Sequence, residues 1–229
     1  MARFPYPINT PTYLRLRDQI RDDIEDGCWQ LGQHLTLQEL SAHYEVSNVP
    51  VREALLQLQG EGMVDMRMNR GAVVREVDAR FIGEYFDVRE ALWSMLIAQA
   101  CRNPALRDGQ PFQRAWALLP PVEEAARAGR VHDLMAADEL LQQELGRLAD
   151  HGLAFDLQAS RGRLLEALRR TRLELWAPEL EALPVQGRAM LQAIAHGDPA
   201  TGVEAVRRHV AALRTYALRL LKLPSVPRP

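Results

Sequence analysis

The stretch TLQELSAHYEVSNVPVREALLQLQGEGMVDMRMNRGAVV, residues 36–74, decides how the first part of this chain folds. Thr36-Leu37-Gln38-Glu39 has the form of a capping box, in which Thr36 and Glu39 satisfy each other's free amides and start a short helix reaching about His43. Ser47 is a second capping hydroxyl, and Pro50 is tolerated in the first turn that follows it. Val51, Leu55 and Leu58 then repeat at the spacing of one buried helix stripe, until Gly60 and Gly62 stop it. Met63–Arg67 and Ala72–Val74 suit two short strands, with Asn69-Arg70-Gly71 between them as turn residues that tolerate positive φ.

Working outward, Thr10-Pro11 supplies a capping hydroxyl and a proline at the first helical position. Tyr13, Leu16, Ile20 and Ile24 make the stripe of that helix, which Gly27 ends. Three helices and a basic hairpin within about 65 residues describe a winged helix-turn-helix. Everything after Asp78 reads as helix. Phe81, Tyr85, Val88, Leu92 and Met95 predict one from about Asp78 to Cys101. Pro104, Pro111 and Pro120-Pro121 interrupt residues 103–130. Leu134, Leu141, Leu145 and Leu148 mark a helix over about Val131–Ala149. Further helices are expected over about Gly152–Trp176 and Val185–His196, and a last one from Asp198-Pro199. The expected fold is mainly α: a winged helix-turn-helix over residues 1–77, then an antiparallel bundle of six or seven helices over 78–229.

Composition narrows the function classes. The 229 residues carry a net charge of −2 and two cysteines, Cys28 and Cys101. Two thiols build no secreted disulfide scaffold, and no apolar run is long enough to span a bilayer, so a cytoplasmic protein without membrane attachment is expected. Up to Asp78, eight arginines face twelve acidic residues, which argues against a nucleic-acid partner. Between Val46 and Arg75 the balance reverses to four arginines against Glu53, Glu61 and Asp65. The distribution therefore leaves DNA open, and pattern decides.

The second short helix buries Val51, Leu55 and Leu58, leaving Ser47, Asn48, Val49 and Arg52 on its other face. In a helix-turn-helix this end meets base edges, and an outward arginine can grip guanine with two hydrogen bonds. Arg67, Asn69 and Arg70 on the hairpin suit a minor groove or the phosphate backbone. The bland alternative is a set of solvated charges.

Asp26-Gly27, Leu31-Gly32, Leu35, Gln38-Glu39-Leu40-Ser41, Val46 through Leu55, Leu58, Glu61-Gly62-Met63-Val64 and Asn69-Arg70-Gly71-Ala72 together resemble the winged helix of the GntR family. Asp87 through Leu92, Asp138 with Leu141, Ala193-Ile194 with Gly197-Asp198, and Arg207-Arg208-His209 resemble the ligand-sensing domain (FCD type) of its FadR branch. The resemblance implies a homodimeric transcription regulator, a ligand-responsive repressor on a near-palindromic operator. By residue match, Gln38, Ser47, Asn48, Val49, Arg52, Asn69, Arg70 and Gly71 would touch DNA. Relatives often carry Arg at the Asn48 position and Arg or Glu at the Gln38 position, so the resemblance extends to the activity and not to the operator sequence.

Many members of that branch hold a divalent metal through one Asp and three His. The matching positions here are Asp138, Gln142, Gly187 and His209; with two imidazoles missing, no tight metal site or other cofactor is expected. The resemblance implies an effector site that includes Arg89, Trp93, Asp138, Gln142 and His209. Arg89 would hold the carboxylate of an organic acid, for which its guanidinium fork is suited. Trp93, Met95 or Trp176 would admit an acyl or aromatic compound. The bland alternatives are a structural ion pair for Arg89 and a satisfied core pair for Asp138 and His209. An enzyme using an Asp138/His209 pocket is the alternative function, but the chain has no nucleophile elbow, phosphate-binding glycine loop, HExxH or CxxC.

Overall fold

Leu16, Ile20 and Ile24 line the buried side of the first helix, α1 (Thr12–Glu25), as their spacing predicts. The structure, a computed structural model, describes residues 10–68, 70–106, 109–172 and 175–223, without the side chains of 155–161. α1 begins one residue later than expected. Pro11 holds the N-cap, where no side chain bonds to the helix; its carbonyl accepts from the amides of Leu14 and Arg15 at 3.1 and 3.4 Å. Proline has no amide to satisfy, so it serves at this boundary as readily as inside it.

The expected capping box starts α2 (Leu37–Tyr44). Thr36 Oγ1 accepts from the Glu39 amide at 3.1 Å, and Glu39 Oε2 accepts from the Thr36 amide at 3.5 Å. Glu45 closes α2 in the left-handed region (φ 55°), and α3 (Asn48–Gly60) follows. Ser47 has the extended backbone of an N-cap, but its hydroxyl makes no capping bond, contrary to expectation. On α3, Val51, Ala54, Leu55 and Leu58 are fully buried. Burying that stripe supplies most of what holds so short a helix, because an isolated helix of this length is marginal in water.

A three-stranded antiparallel sheet completes this region, in the order β1 (His34–Leu35), β3 (Gly71–Val74), β2 (Val64–Arg67). β2 and β3 form the expected hairpin, with Arg67 opposite Gly71 and Val64 opposite Val74. β1 was not expected: two residues carry no period that a sequence can show. Gly71 has φ +86°, and a β-carbon there would lie 2.0 Å from the Leu35 carbonyl oxygen. The β1–β3 pairing thus requires glycine at this position.

The described residues form two compact units, one of 10–77 with 160–172, the other of 78–159 with the rest. In the first, Arg163 pairs with Glu25 at 2.9 Å and Arg170 with Asp26 at 2.6 Å. Among the described residues, seven α-helices follow Asp78: α4 (Ala79–Arg102), α5 (Gln110–Ala117), α6 (Leu119–Arg127), α7 (Val131–Leu148), α8 (Gly152–Arg170), α9 (Ala182–His196) and α10 (Pro199–Leu220). Asp78 caps α4 by accepting from the Phe81 amide at 2.7 Å, and Asp198 caps α10 through the amides of Ala200 and Thr201.

Three expectations for this part need correction. Pro111, Pro120 and Pro121 open α5 and α6 instead of interrupting helix, because the first turn has no amide bonds to lose. α8 ends at Arg170, short of Trp176; Ala177, before Pro178, is extended as that position favours. On α4 the buried face is turned from the expected one. Ile82, Phe86, Arg89, Trp93, Leu96 and Ile97 are buried, whereas Val88 is 60% and Met95 40% exposed. Both stripes are apolar at helical spacing, and packing against α7, α9 and α10 selects the one with Trp93 and the larger aliphatics.

Gly71→Ala should destabilise the N-terminal unit by about 2–4 kcal/mol, from strain at positive φ plus the clash with Leu35. The midpoint of urea unfolding measures this, and an unchanged midpoint contradicts the role given to β1.

Candidate functional site

Because one stripe of α3 is buried, the opposite face is free. Ser47, Asn48, Val49 and Arg52 are all exposed, Val49 by 67%. Gln38 is exposed at the start of α2. At the end of the hairpin Arg67 and Arg70 are exposed, and Asn69 lies outside the described residues. Gly71, unlike the other described candidates, is buried, where it serves the sheet. Ser41, which sequence reasoning passed over as a site residue, reaches across from α2 and donates its hydroxyl to Asn48 Oδ1 at 2.6 Å.

Several arginines of the unit are drawn into ion pairs. Arg17 and Arg21 share Asp18 at 2.7 and 2.6 Å, and Arg75 meets Asp65 at 3.0 Å. Arg52, Arg67 and Arg70 make no ion pair with any described residue. Glu53 is exposed on α3 beside Arg52, yet no described carboxylate lies within ion-pair distance of Arg52, Arg67 or Arg70. Local positive charge of this kind attracts a polyanion whatever the net charge of the chain.

A second group of functional candidates lies in the helical unit, and all five are buried. α4 carries Arg89 and Trp93, one turn apart; the guanidinium carbon lies 5.6 Å from the indole centroid, and Nη1 donates to the Tyr85 hydroxyl at 3.2 Å. Burial alone would lower the Arg89 pKa, but Tyr85, Glu139 and Asp138 outweigh it and hold the group above its ordinary value. α7 carries Asp138 and Gln142 one turn apart, and α10 carries His209. His209 Nε2 lies 3.3 Å from Asp138 Oδ2, close but not aligned as a hydrogen bond. Arg89 Nε, Trp93 Nε1, Asp138 Oδ1, Gln142 Nε2 and both His209 ring nitrogens are buried without a hydrogen-bond partner among the described residues. Leaving so many polar atoms unmatched is costly for structure alone and is a mark of a site.

The donor set does not fit a tightly held transition metal. Gln142 offers a weak amide, and Gly187 has no side chain; a β-carbon at 187 would already lie 2.9 Å from Leu141 Cδ2. Among the described residues no three His, Cys, Asp or Glu side chains gather as a metal site.

A short helix with an arginine-bearing outer face, set beside a basic hairpin, defines a DNA-binding winged helix-turn-helix. Comparison with known proteins agrees at the level of family. The profile of bacterial regulatory proteins, gntR family, matches residues 12–74, and that of the FCD domain matches 84–212. The chain belongs to the GntR family of transcriptional regulators, with an FCD domain behind the DNA-binding one.

It is 30% identical to an HTH-type transcriptional regulator from an unstable DNA locus of Streptomyces ambofaciens, over 80% of this chain and 75% of that one. It is 26% identical to a probable D-xylose utilization operon transcriptional repressor of Paenarthrobacter nicotinovorans, over 86% and 85%. A GntR regulator from Rhodococcus sp. RHA1 shares the fold at TM-score 0.65 and 21% identity, covering 92% of this chain and 99% of that one. E. coli McbR/YncC does so at TM-score 0.59 and 18%, covering 90% and 99%. These relatives are regulators, and the reading of Asp138 and His209 as a catalytic pair falls away. No helix among the described residues is long and apolar enough to cross a membrane.

Purified chain equilibrated with zinc or nickel and then dialysed should retain well under one metal per chain by elemental analysis. Stoichiometric retention would overturn the assignment of Gln142 and Gly187 as lost ligands.

Proposed function

We propose that the protein is a cytoplasmic, ligand-responsive repressor that binds a near-palindromic operator as a homodimer. Residues 1–77 form the DNA-binding head, and 78–229 the part that dimerises and senses an effector. Ser47, Asn48, Val49 and Arg52 address base edges in a major groove. Gln38 supports them from α2, and Arg67, Asn69 and Arg70 meet the backbone or the neighbouring minor groove. Gly71 acts by shaping the hairpin. The observation that carries this reading is that Arg52, Arg67 and Arg70 are exposed without an ionic partner among the described residues, while the other described arginines of the region are drawn into pairs or local bonds.

The effector reading is supported by the buried polar atoms around Arg89, Trp93, Asp138, Gln142 and His209. Arg89 Nε, Trp93 Nε1 and Gln142 Nε2 are donors, which favours an organic acid, with Trp93 offering an apolar face to an acyl or aromatic part. Occupation of that site changes operator affinity through a coupling of about 1–3 kcal/mol.

Arg52→Ala should lower affinity for the operator by about 5- to 150-fold, the equivalent of 1–3 kcal/mol, with the fold intact. Fluorescence anisotropy on DNA from upstream of the gene, with circular dichroism as the fold control, makes the comparison. Equal specific binding by the variant sinks the reading of α3.

A further inference from the structure

Ser41 and Asn48 lie on different helices, α2 and α3, on either side of the turn at residues 45–47. The left-handed backbone of Glu45 folds that turn back, and Val46 donates its amide to the Ser41 carbonyl at 3.1 Å. The two side chains then meet: Ser41 Oγ donates to Asn48 Oδ1 at 2.6 Å. That separation matches an O–H···O bond, usually about 2.7 Å, better than an N–H···O bond of about 2.9 Å. The amide oxygen is therefore the end turned toward α2. Asn48 is otherwise exposed, at the first position of α3.

An asparagine amide has one acceptor oxygen and two N–H donors. Reading adenine takes both ends, the oxygen accepting from N6–H while the nitrogen donates to N7. Guanine offers only acceptors, O6 and N7, on the same edge. Ser41 takes one of the two lone pairs of that oxygen and turns it toward α2, which leaves the two N–H groups as the wholly free end of the side chain. Turning the amide over would exchange this short O–H···O bond for a longer N–H···O one. We propose that Ser41 is a positioning residue that makes Asn48 a donor toward DNA, favouring guanine over adenine at the base pair beneath it. The inference rests on the reading of α3 as the base-contacting helix.

The test is selection from a randomised duplex library by the full-length chain, in parallel with Ser41→Ala, Ser41→Thr, Asn48→Ala and Arg52→Ala. The wild-type motif should contain a guanine at a position that becomes degenerate in Asn48→Ala. Ser41→Ala should admit adenine there, with the guanine preference reduced about fivefold in competition with matched duplexes. Ser41→Thr, which keeps the hydroxyl, should retain guanine. An unchanged motif in Ser41→Ala, adenine preferred at that position by the wild type, or no position altered in Asn48→Ala each overturns the proposal. A wild type that enriches no motif, or an Arg52→Ala motif equal to it, removes the base-contacting reading and the proposal with it.

Discussion

Complete burial of Val51, Ala54, Leu55 and Leu58 along one side of α3 is the constraint on which the rest of this molecule's function depends. At 3.6 residues per turn, that stripe determines the direction of every other side chain on the helix. Asn48, Val49 and Arg52 have no inward option left. The buried stripe also ties α3 to α1 and α2, so the outer face is held by a packed core and not by a loop. Binding residues on a rigid element lose less entropy on contact, which favours a specific reader over a sticky surface.

Charge placement follows from the same packing. Asp18 draws in Arg17 and Arg21, and Asp65 draws in Arg75. Surface pairs like these contribute little to stability, about 0–1 kcal/mol each. Asp18 and Asp65 are thus held by neighbouring arginines, whereas Arg52 on α3 and Arg67 and Arg70 at the hairpin have no ionic partner among the described residues. An acidic chain can in this way present a positive face.

The head was legible because its signals are local. A capping box, glycines at the stops and a basic turn each act over three or four residues, and Thr36, Glu39 and the β2–β3 hairpin appear where those signals put them. Ser47 and Pro11 show the limit: a capping residue type indicates where a helix starts, not whether its side chain makes the bond. β1 and the Ser41–Asn48 contact depend on chain segments meeting in space, and nothing periodic announces them. On α4, two apolar stripes of similar strength ran side by side, and only the neighbouring helices could choose between them. That choice put Arg89 in the interior, where its Nε, with Trp93 Nε1 and Gln142 Nε2, is buried without a hydrogen-bond partner among the described residues.

In the function proposed, a few guanidinium groups without ionic partners among the described residues supply the attraction for DNA on an otherwise acidic chain. The salt dependence of affinity for a specific duplex measures that attraction, since each phosphate neutralised releases counterions. The logarithm of the binding constant should fall linearly with the logarithm of salt concentration, and replacing Arg67 or Arg70 with alanine should make the slope shallower by about one. A slope near zero for the wild type, or slopes untouched by both replacements, would contradict the account.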